Sequence, residues 1–132
     1  MKNILRSLRL RLLAVGLLAC AVFSQNPSLQ RTIVHKADVS VPGREAVITR
    51  VEIAPNGSAG RHTHPGDEIT YVLEGEGQIL IESQPALKIK AGDGFVVPGG
   101  AKHDARNTGA GTLKLVAMYV VEKGKPLATP AP

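Results

Sequence analysis

The chain has 132 residues and a net charge of +5, which leaves room for one domain and little more. Four of its 16 basic residues lie before residue 25, so the rest of the chain carries 12 basic and 11 acidic residues, a net charge of +1. The remaining charges are interspersed and form no basic stripe. The charge pattern therefore does not indicate a basic surface that would bind DNA, RNA or anionic lipid.

Residues 1–24 have the pattern of a signal peptide. Lys2, Arg6, Arg9 and Arg11 make a basic start, and residues 12–21 are an uninterrupted apolar run. That run is too short to span a bilayer but suits the apolar region of an export signal, with small residues at the cleavage position. We therefore expect an exported protein, periplasmic or secreted, whose mature part begins near residue 25.

Cys20 is the only cysteine and leaves a second form of export open. The sequence before it is similar to a bacterial lipobox, in which Cys20 would be lipidated and would anchor the protein to a membrane. Leu18 is uncommon at that position of the box, so simple secretion is favoured. In either case no internal disulfide can form, so the stability of the fold must come from other interactions.

The rest of the chain divides into three segments. Residues 25–38 are mixed and polar, which predicts a linker or N-terminal arm. Residues 39–123 contain short β-type runs separated by Gly, Pro, Asn and Asp, and residues 124–132 form a Pro-rich tail expected to be mobile or draped. The predicted strands are 47–53, 69–73, 78–82, 87–90, 95–97 and 113–121.

Many short strands with Gly and Pro turns predict an all-β sandwich or barrel. No segment after residue 24 has a convincing helical period. The last predicted strand is apolar on both faces, which suits an interior on one side and a covering layer, such as a second subunit, on the other.

Three histidines and one glutamate fall at positions that suit a metal site. His62 and His64 are two apart on an extended segment, so both side chains can face one interior. Glu68 follows a turn and leads into a strand, and His103 lies where another strand would start. Neutral imidazoles with one carboxylate suit a divalent transition metal: Fe, Mn, Ni, Cu, Co or Zn. An octahedral metal would keep two positions for water or substrate.

The wider spacing resembles the two sequence motifs of the cupin superfamily. Residues 57–75 read GSAGRHTHPGDEITYVLEG, similar to G-x5-H-x-H-x3-4-E-x6-G, although Gly57 stands one residue too close to His62. Residues 92–107 read GDGFVVPGGAKHDARN and match G-x5-P-x-G-x2-H-x3-N throughout. The resemblance implies a conical double-stranded β-helix (a jelly-roll barrel), commonly a homodimer. Its implied metal ligands are His62, His64, Glu68 and His103.

The resemblance also implies a class of chemistry. In cupins with this ligand type the glutamate can take a proton from substrate, so Glu68 is the candidate catalytic residue. We expect a dioxygenase-like oxidoreductase, similar to quercetin-dioxygenase-like cupins, acting on a small enol, phenol or diketone. Two alternatives stay open because one fold serves many functions: a non-catalytic metal-dependent binding module, and an oxygen-independent isomerase or lyase.

Other polar side chains are predicted to have structural or surface roles. Asn107 is expected in a turn, Tyr71 outside the pocket and Asp67 in solvent. The expected surface residues are His35, Arg50, Arg61 and Arg106.

Overall fold

The computed structural model describes residues 27–132, which form ten strands in two antiparallel sheets. The predicted signal peptide, with Cys20, lies outside these residues. The strands are β1 (Leu29–Asp38), β2 (Arg44–Ile53), β3 (His62–Thr63), β4 (Gly66–Glu74), β5 (Glu76–Ile81), β6 (Leu87–Lys90), β7 (Gly94–Val97), β8 (His103–Asn107), β9 (Leu113–Glu122) and β10 (Thr129–Pro130). In this part of the chain no helix is long and apolar enough to cross a bilayer.

The two sheets alternate along the chain. The larger sheet has the order β1-β2-β9-β4-β7, and the smaller sheet has the order β10-β3-β8-β5-β6. Strands distant in sequence are therefore neighbours: β9 lies between β2 and β4, and β8 lies between β3 and β5. This arrangement confirms the all-β class and the double-stranded β-helix.

The core lies between the sheets because the long strands alternate apolar and more polar positions. β9 shows the period of two most clearly, with buried residues at every odd position from Leu113 to Val121. β2 follows the same rule and places Val47, Val51 and Ile53 inside. The other buried apolar residues are Val72, Ile79, Ile89, Val97, Leu115, Ala117 and Tyr119.

Residues 25–38, for which the sequence predicts a linker or N-terminal arm, contain the edge strand β1. It pairs with β2 along nearly its whole length, with Arg31 opposite Val51 and a register shift between Ile33 and His35. The irregular register breaks the alternation that would have marked this segment as a strand. β1 extends the larger sheet and brings two side chains, Leu29 and Arg31, toward the inside.

The Pro-rich tail lies along β3. β10 pairs with β3, with Thr129 opposite Thr63 and Pro130 opposite His62, and the Ala131 N–H donates to the Arg61 carbonyl at 3.0 Å. Proline is tolerated here because β10 is the edge strand of the smaller sheet. The tail is thus draped over the segment that carries the first two candidate ligands.

Two glycines let the loops at one end of the barrel approach each other. A Cβ on Gly66 would lie 2.1 Å from the Val120 carbonyl oxygen, and a Cβ on Gly99 would lie 3.0 Å from the Gly66 Cα. The Asp67 carboxylate accepts a hydrogen bond from the Gly99 N–H at 2.9 Å, and the Gly100 N–H donates to the His64 carbonyl at 2.9 Å. These contacts join the β3–β4 turn to the loop that leads into β8.

Candidate metal centre

The three candidate histidines converge because β3 and β8 are adjacent strands. His62 begins β3, His103 begins β8, and the two are direct partners in the register. Their ring centroids are 4.3 Å apart, and the His64 ring lies 4.7 Å from His62 and 5.0 Å from His103. All three rings are buried. The sequence prediction that His103 starts a strand is confirmed.

Each histidine is oriented by a backbone carbonyl at its Nδ1 atom. The distances are 2.6 Å from His62 to the Gly60 oxygen and 2.9 Å from His103 to the Ala101 oxygen. For His64 the acceptor is the Leu127 oxygen in the tail, at 2.5 Å. A carbonyl only accepts, so each Nδ1 carries the proton and donates it. Metal binding by these rings would therefore use the Nε2 atoms, which point to a common centre.

Glu68 joins this centre from β4 in the opposite sheet. Its Oε2 lies 3.0 Å from His64 Nε2 and 3.2 Å from His103 Nε2, while its Oε1 accepts a hydrogen bond from the Thr70 hydroxyl at 2.7 Å. Burial opposes ionisation of this carboxyl, but in the metal-free protein hydrogen bonds donated by His103, His64 and Thr70 outweigh burial and hold the pKa of Glu68 below its ordinary value. Glu68 therefore faces the histidines as a carboxylate.

The electrostatics of the imidazoles favour a cation among them. His62 Nε2 and His64 Nε2 are 3.1 Å apart, and when both rings are neutral with the proton on Nδ1, neither Nε2 has a proton to share. Burial, together with the neighbouring His103 and His64 and the Arg31 charge, lowers the pKa of His62 to about 4, so its ring is neutral at pH 7. Two facing lone pairs beside a carboxylate suit a shared metal ion.

The spacing of the donor atoms also fits a metal. All four donors lie within 4.8 Å of one another. Adjacent ligands about 2.1 Å from an octahedral metal are separated by about 3.0 Å, and in a tetrahedral site by about 3.4 Å. The three donor pairs described above measure 3.0, 3.1 and 3.2 Å. His62, His64, Glu68 and His103 thus form a group that can hold a divalent metal, as the sequence predicts.

A small cavity adjoins this group inside the barrel. It measures about 20 Å³, and its lining includes His62, Glu68 and His103. Apolar side chains make most of the remaining wall: Val51, Ala59, Ile79, Phe95, Ala105 and Leu115. Space for about one water-sized group remains between the sheets in this conformation.

Two functional candidates in the cavity wall were not singled out by the sequence. Tyr119 packs its ring 4.6 Å from His64, and burial with the Glu68 charge raises its pKa to about 12, so its hydroxyl stays protonated. The alternation along β9 could have indicated Tyr119, because Tyr119 lies on the buried face of that strand. It is also the register partner of Glu68. Arg31 also lines the cavity. Only the register of β1 against β2 shows that its side chain points inward, and the sequence alone does not give that register.

The remaining candidates lie where the sequence places them. Tyr71 is 47% exposed on the outer face of β4, and Asp67 is exposed. Asn107 caps a turn by accepting from the Gly109 N–H at 2.9 Å and donating to the Ile53 and Gly111 carbonyls at 2.8 Å. The four residues predicted to lie on the surface are exposed and outside the centre: His35, Arg50, Arg61 and Arg106.

Comparison with curated proteins finds relatives of several functions. An oxalate-binding protein of Thermotoga maritima is 34% identical over 76 residues, covering 57% of this chain and 62% of that protein. An acireductone dioxygenase of Rhodopseudomonas palustris is 34% identical over 83 residues, covering 57% of this chain and 50% of the relative. The chain thus spans between half and two thirds of the length of these relatives.

Solved structures share the fold at low identity. A Klebsiella pneumoniae protein with a double-stranded β-helix domain has a TM-score of 0.64 at 22% identity, covering 80% of this chain and 88% of that one. A cupin-like protein of Thermotoga maritima has a TM-score of 0.65 at 19% identity, covering 78% and 75%. Residues 49–121 match the cupin domain family, and this range contains all or part of four strands of the larger sheet and all four candidate ligands. The chain belongs to the cupin family.

Proposed function

We propose that this chain is an exported, metal-dependent oxidoreductase of the dioxygenase type that acts on a small enol, phenol or diketone. The carrying observation is the group formed by His62, His64, Glu68 and His103, whose donor atoms all lie within 4.8 Å. A buried set of three imidazoles and one carboxylate suits Fe, Mn, Ni, Cu, Co or Zn. The acireductone dioxygenase among the relatives supports this class of reaction.

Glu68 is the residue proposed to move a proton. Its pKa is held below the ordinary value, so it is present as the base form, and Thr70 fixes the carboxylate through its Oε1. Substrate bound beside His103 and His62 would place an acidic O–H or C–H near Oε2. A metal held by the same group supplies Lewis-acid polarisation and a template for the substrate.

The surrounding residues exclude water and limit the substrate. The cavity of about 20 Å³ has Phe95 and Leu115 in its wall and holds about one water-sized group, so only the reacting oxygen of an enol, phenol or diketone fits beside the metal group in this conformation. Tyr119 remains protonated and can donate a hydrogen bond to a substrate oxygen, since its pKa is raised to about 12.

The first test is elemental analysis of the mature protein, purified without chelator or histidine tag. We expect near-stoichiometric iron, nickel, manganese or copper in the wild type and its loss in Glu68→Ala and His103→Ala. His35→Ala is the matched control, because His35 is exposed on β1 and remote in register from the centre. A wild type that takes up no metal after reconstitution at neutral pH overturns the proposal.

Oxygen uptake with a panel of enols and diketones tests the reaction class. Consumption of oxygen that depends on both metal and Glu68 supports the oxidoreductase. Turnover of the same compounds without oxygen would instead establish an isomerase or lyase.

A metal-dependent binding module is the second candidate. The cavity of about 20 Å³ favours it, because so small a space holds at most a small ligand and leaves no room for a second reactant beside it. The similarity to an oxalate-binding protein points the same way. Saturable binding of oxalate without turnover would favour this candidate over the oxidoreductase.

Export and homodimerisation complete the proposal. The basic and apolar pattern of residues 1–24 supports export, with lipidation of Cys20 as the alternative, and N-terminal sequencing of the mature protein distinguishes them. Homodimerisation is supported by the apolar outer face of the larger sheet, where Ile69, Tyr71 and Val96 are 43%, 47% and 57% exposed.

A further inference from the structure

The carbonyl that orients His62 belongs to a residue in a left-handed backbone conformation. Gly60 has a φ of 79°, and its carbonyl oxygen lies 2.6 Å from His62 Nδ1. A Cβ at Gly60 would meet nothing within 4 Å, so the glycine serves the backbone conformation and not a close approach. The position of this carbonyl therefore depends on what holds the short segment before β3.

The side chain of Ser58 holds the backbone of Gly60. The Gly60 N–H donates to Ser58 Oγ at 2.9 Å. Ser58 Oγ in turn lies 2.8 Å and 2.9 Å from the two carboxylate oxygens of Asp104. A carboxylate only accepts, so the hydroxyl proton points to Asp104 and the lone pairs of Oγ are left for the Gly60 N–H. The three residues thus form a hydrogen-bond chain with one direction.

Asp104 is a buried anchor for this chain. Its side chain is 8% exposed, and it points to the opposite face of β8 from the neighbouring ligand His103. Arg106 Nε donates to its Oδ2 at 2.9 Å, so the charge of the carboxylate is balanced without the metal group. A hydrogen bond to a charged acceptor is stronger than one between neutral groups. Asp104 therefore gives the Ser58 hydroxyl one strongly preferred orientation.

We infer that Asp104 and Ser58 are positioning residues for the candidate metal ligand His62. They act through the backbone of Gly60, whose carbonyl fixes the His62 ring and its Nδ1 proton. The Ala59 N–H is held separately by the Ala105 carbonyl at 2.9 Å, so Ser58 supplies the bond that is specific to Gly60. This inference rests on the proposed metal site and adds the residues that hold one of its ligands in place.

Chelator competition with the Co(II)-loaded protein measures the effect on metal affinity. Ser58→Ala removes the hydroxyl and should weaken Co(II) binding by about 10-fold. Ser58→Thr retains the hydroxyl and should restore the affinity of the wild type. Ser28→Ala is the matched control, because the Ser28 hydroxyl bonds the backbone of Ser58, at 3.3 and 3.4 Å, and its loss leaves the Ser58 side chain in the chain. It should bind Co(II) like the wild type.

Hydrogen exchange followed by NMR separates positioning of His62 from a general loss of stability. In the Zn(II)-loaded protein we expect one exchangeable Nδ1–H signal from each of His62, His64 and His103, because each Nδ1 donates to a carbonyl. In Ser58→Ala the His62 proton should exchange with solvent about 10-fold faster, while the other two protons keep their rates.

Each failure has a distinct meaning. Unchanged Co(II) affinity in Ser58→Ala, or an equal loss in Ser28→Ala, overturns the inference and leaves the metal site intact. Faster exchange at all three histidines also overturns it, because that pattern indicates a general loosening of the barrel. A wild type that binds neither metal overturns the proposed function and this inference together. If Ser58→Ala fails to fold, Asp104→Asn decides, since it keeps the shape and removes the charge: unchanged exchange at His62 then overturns the inference.

Discussion

His62 and His103 are direct partners across β3 and β8, although 40 residues lie between them in the sequence, and their ring centroids are 4.3 Å apart. The pairing of these two short strands sets the spacing of the candidate ligands before any metal is present. Each ring is also held by a carbonyl two residues earlier, Gly60 for His62 and Ala101 for His103. The centre is therefore preorganised by backbone.

Metal should stabilise the fold through this pair. At a free Mn(II) or Co(II) concentration 100 times the dissociation constant, stabilisation is about 2.7 kcal/mol, a rise in melting temperature on the order of 10 °C. His62→Ala should abolish the rise, whereas His35→Ala should keep it. Differential scanning calorimetry with and without metal measures both, and a wild type with unchanged melting temperature would contradict the prediction.

The sequence predicts the ligands and most strands but not every wall of the cavity. The motif spacing predicts His62, His64, Glu68 and His103, because strand parity and turn residues fix where those side chains point. The inward position of Arg31 could not be predicted from the sequence. Its strand, β1, has a register shift near Val34, and its pairing with β2 is known only from the structure. The six strands predicted from β-type runs are confirmed, with ends that differ by a few residues.

Some contacts leave no sequence signal at all. The Leu127 carbonyl orients His64, yet a backbone acceptor does not depend on the identity of its side chain. β3 and β10 have two residues each, too few for any period to show. The prolines of the tail argue against a strand in general, but Pro130 is accommodated at a sheet edge opposite His62.

The tail should contribute to metal affinity. Deleting residues 127–132 removes the Leu127 carbonyl from His64 Nδ1 and the pairing of β10 with β3, so the His64 ring loses its fixed orientation. Loss of such a partner typically weakens metal binding by 10- to 100-fold. Deleting Pro132 alone keeps both contacts and is the control. Competition with a chelator measures the affinities, and equal values for the two deletions would show that the tail has no role.

The metal-free protein should lose stability below about pH 6.5. The pKa of His62 is lowered from 6.5 to about 4, so between these values the unfolded chain binds a proton that the folded chain does not. The free energy of unfolding therefore rises with pH across this window by about 3 kcal/mol. The lowered pKa of Glu68 acts in the same direction and extends the loss below pH 4.5. Urea unfolding from pH 4.5 to 7.5 should show a smaller slope in His62→Gln, and an equal slope would contradict this assignment.

Thr70 should position the Glu68 carboxylate. Its hydroxyl donates to Glu68 Oε1 at 2.7 Å, and both residues are buried. Thr70→Val keeps the shape and removes the donor, so we expect metal affinity to fall about 10-fold. Thr70→Ser retains the hydroxyl and should bind metal nearly as the wild type does. Chelator competition tests the pair, and a Val variant with unchanged affinity would leave Thr70 a purely structural role.

The outer face of the larger sheet should form the dimer interface. Val96 on β7 is opposite Ile69 on β4, which in turn is opposite Met118 on β9, so a continuous apolar row crosses three strands. Val96→Lys would bury an unpaired charge in the interface and should convert a dimer to a monomer. Leu87→Lys is the control, because Leu87 is similarly exposed, at 47%, but lies on β6 in the smaller sheet. Light scattering after size exclusion reads the mass, and a monomeric wild type, or a dimer that survives Val96→Lys, would rule out this face.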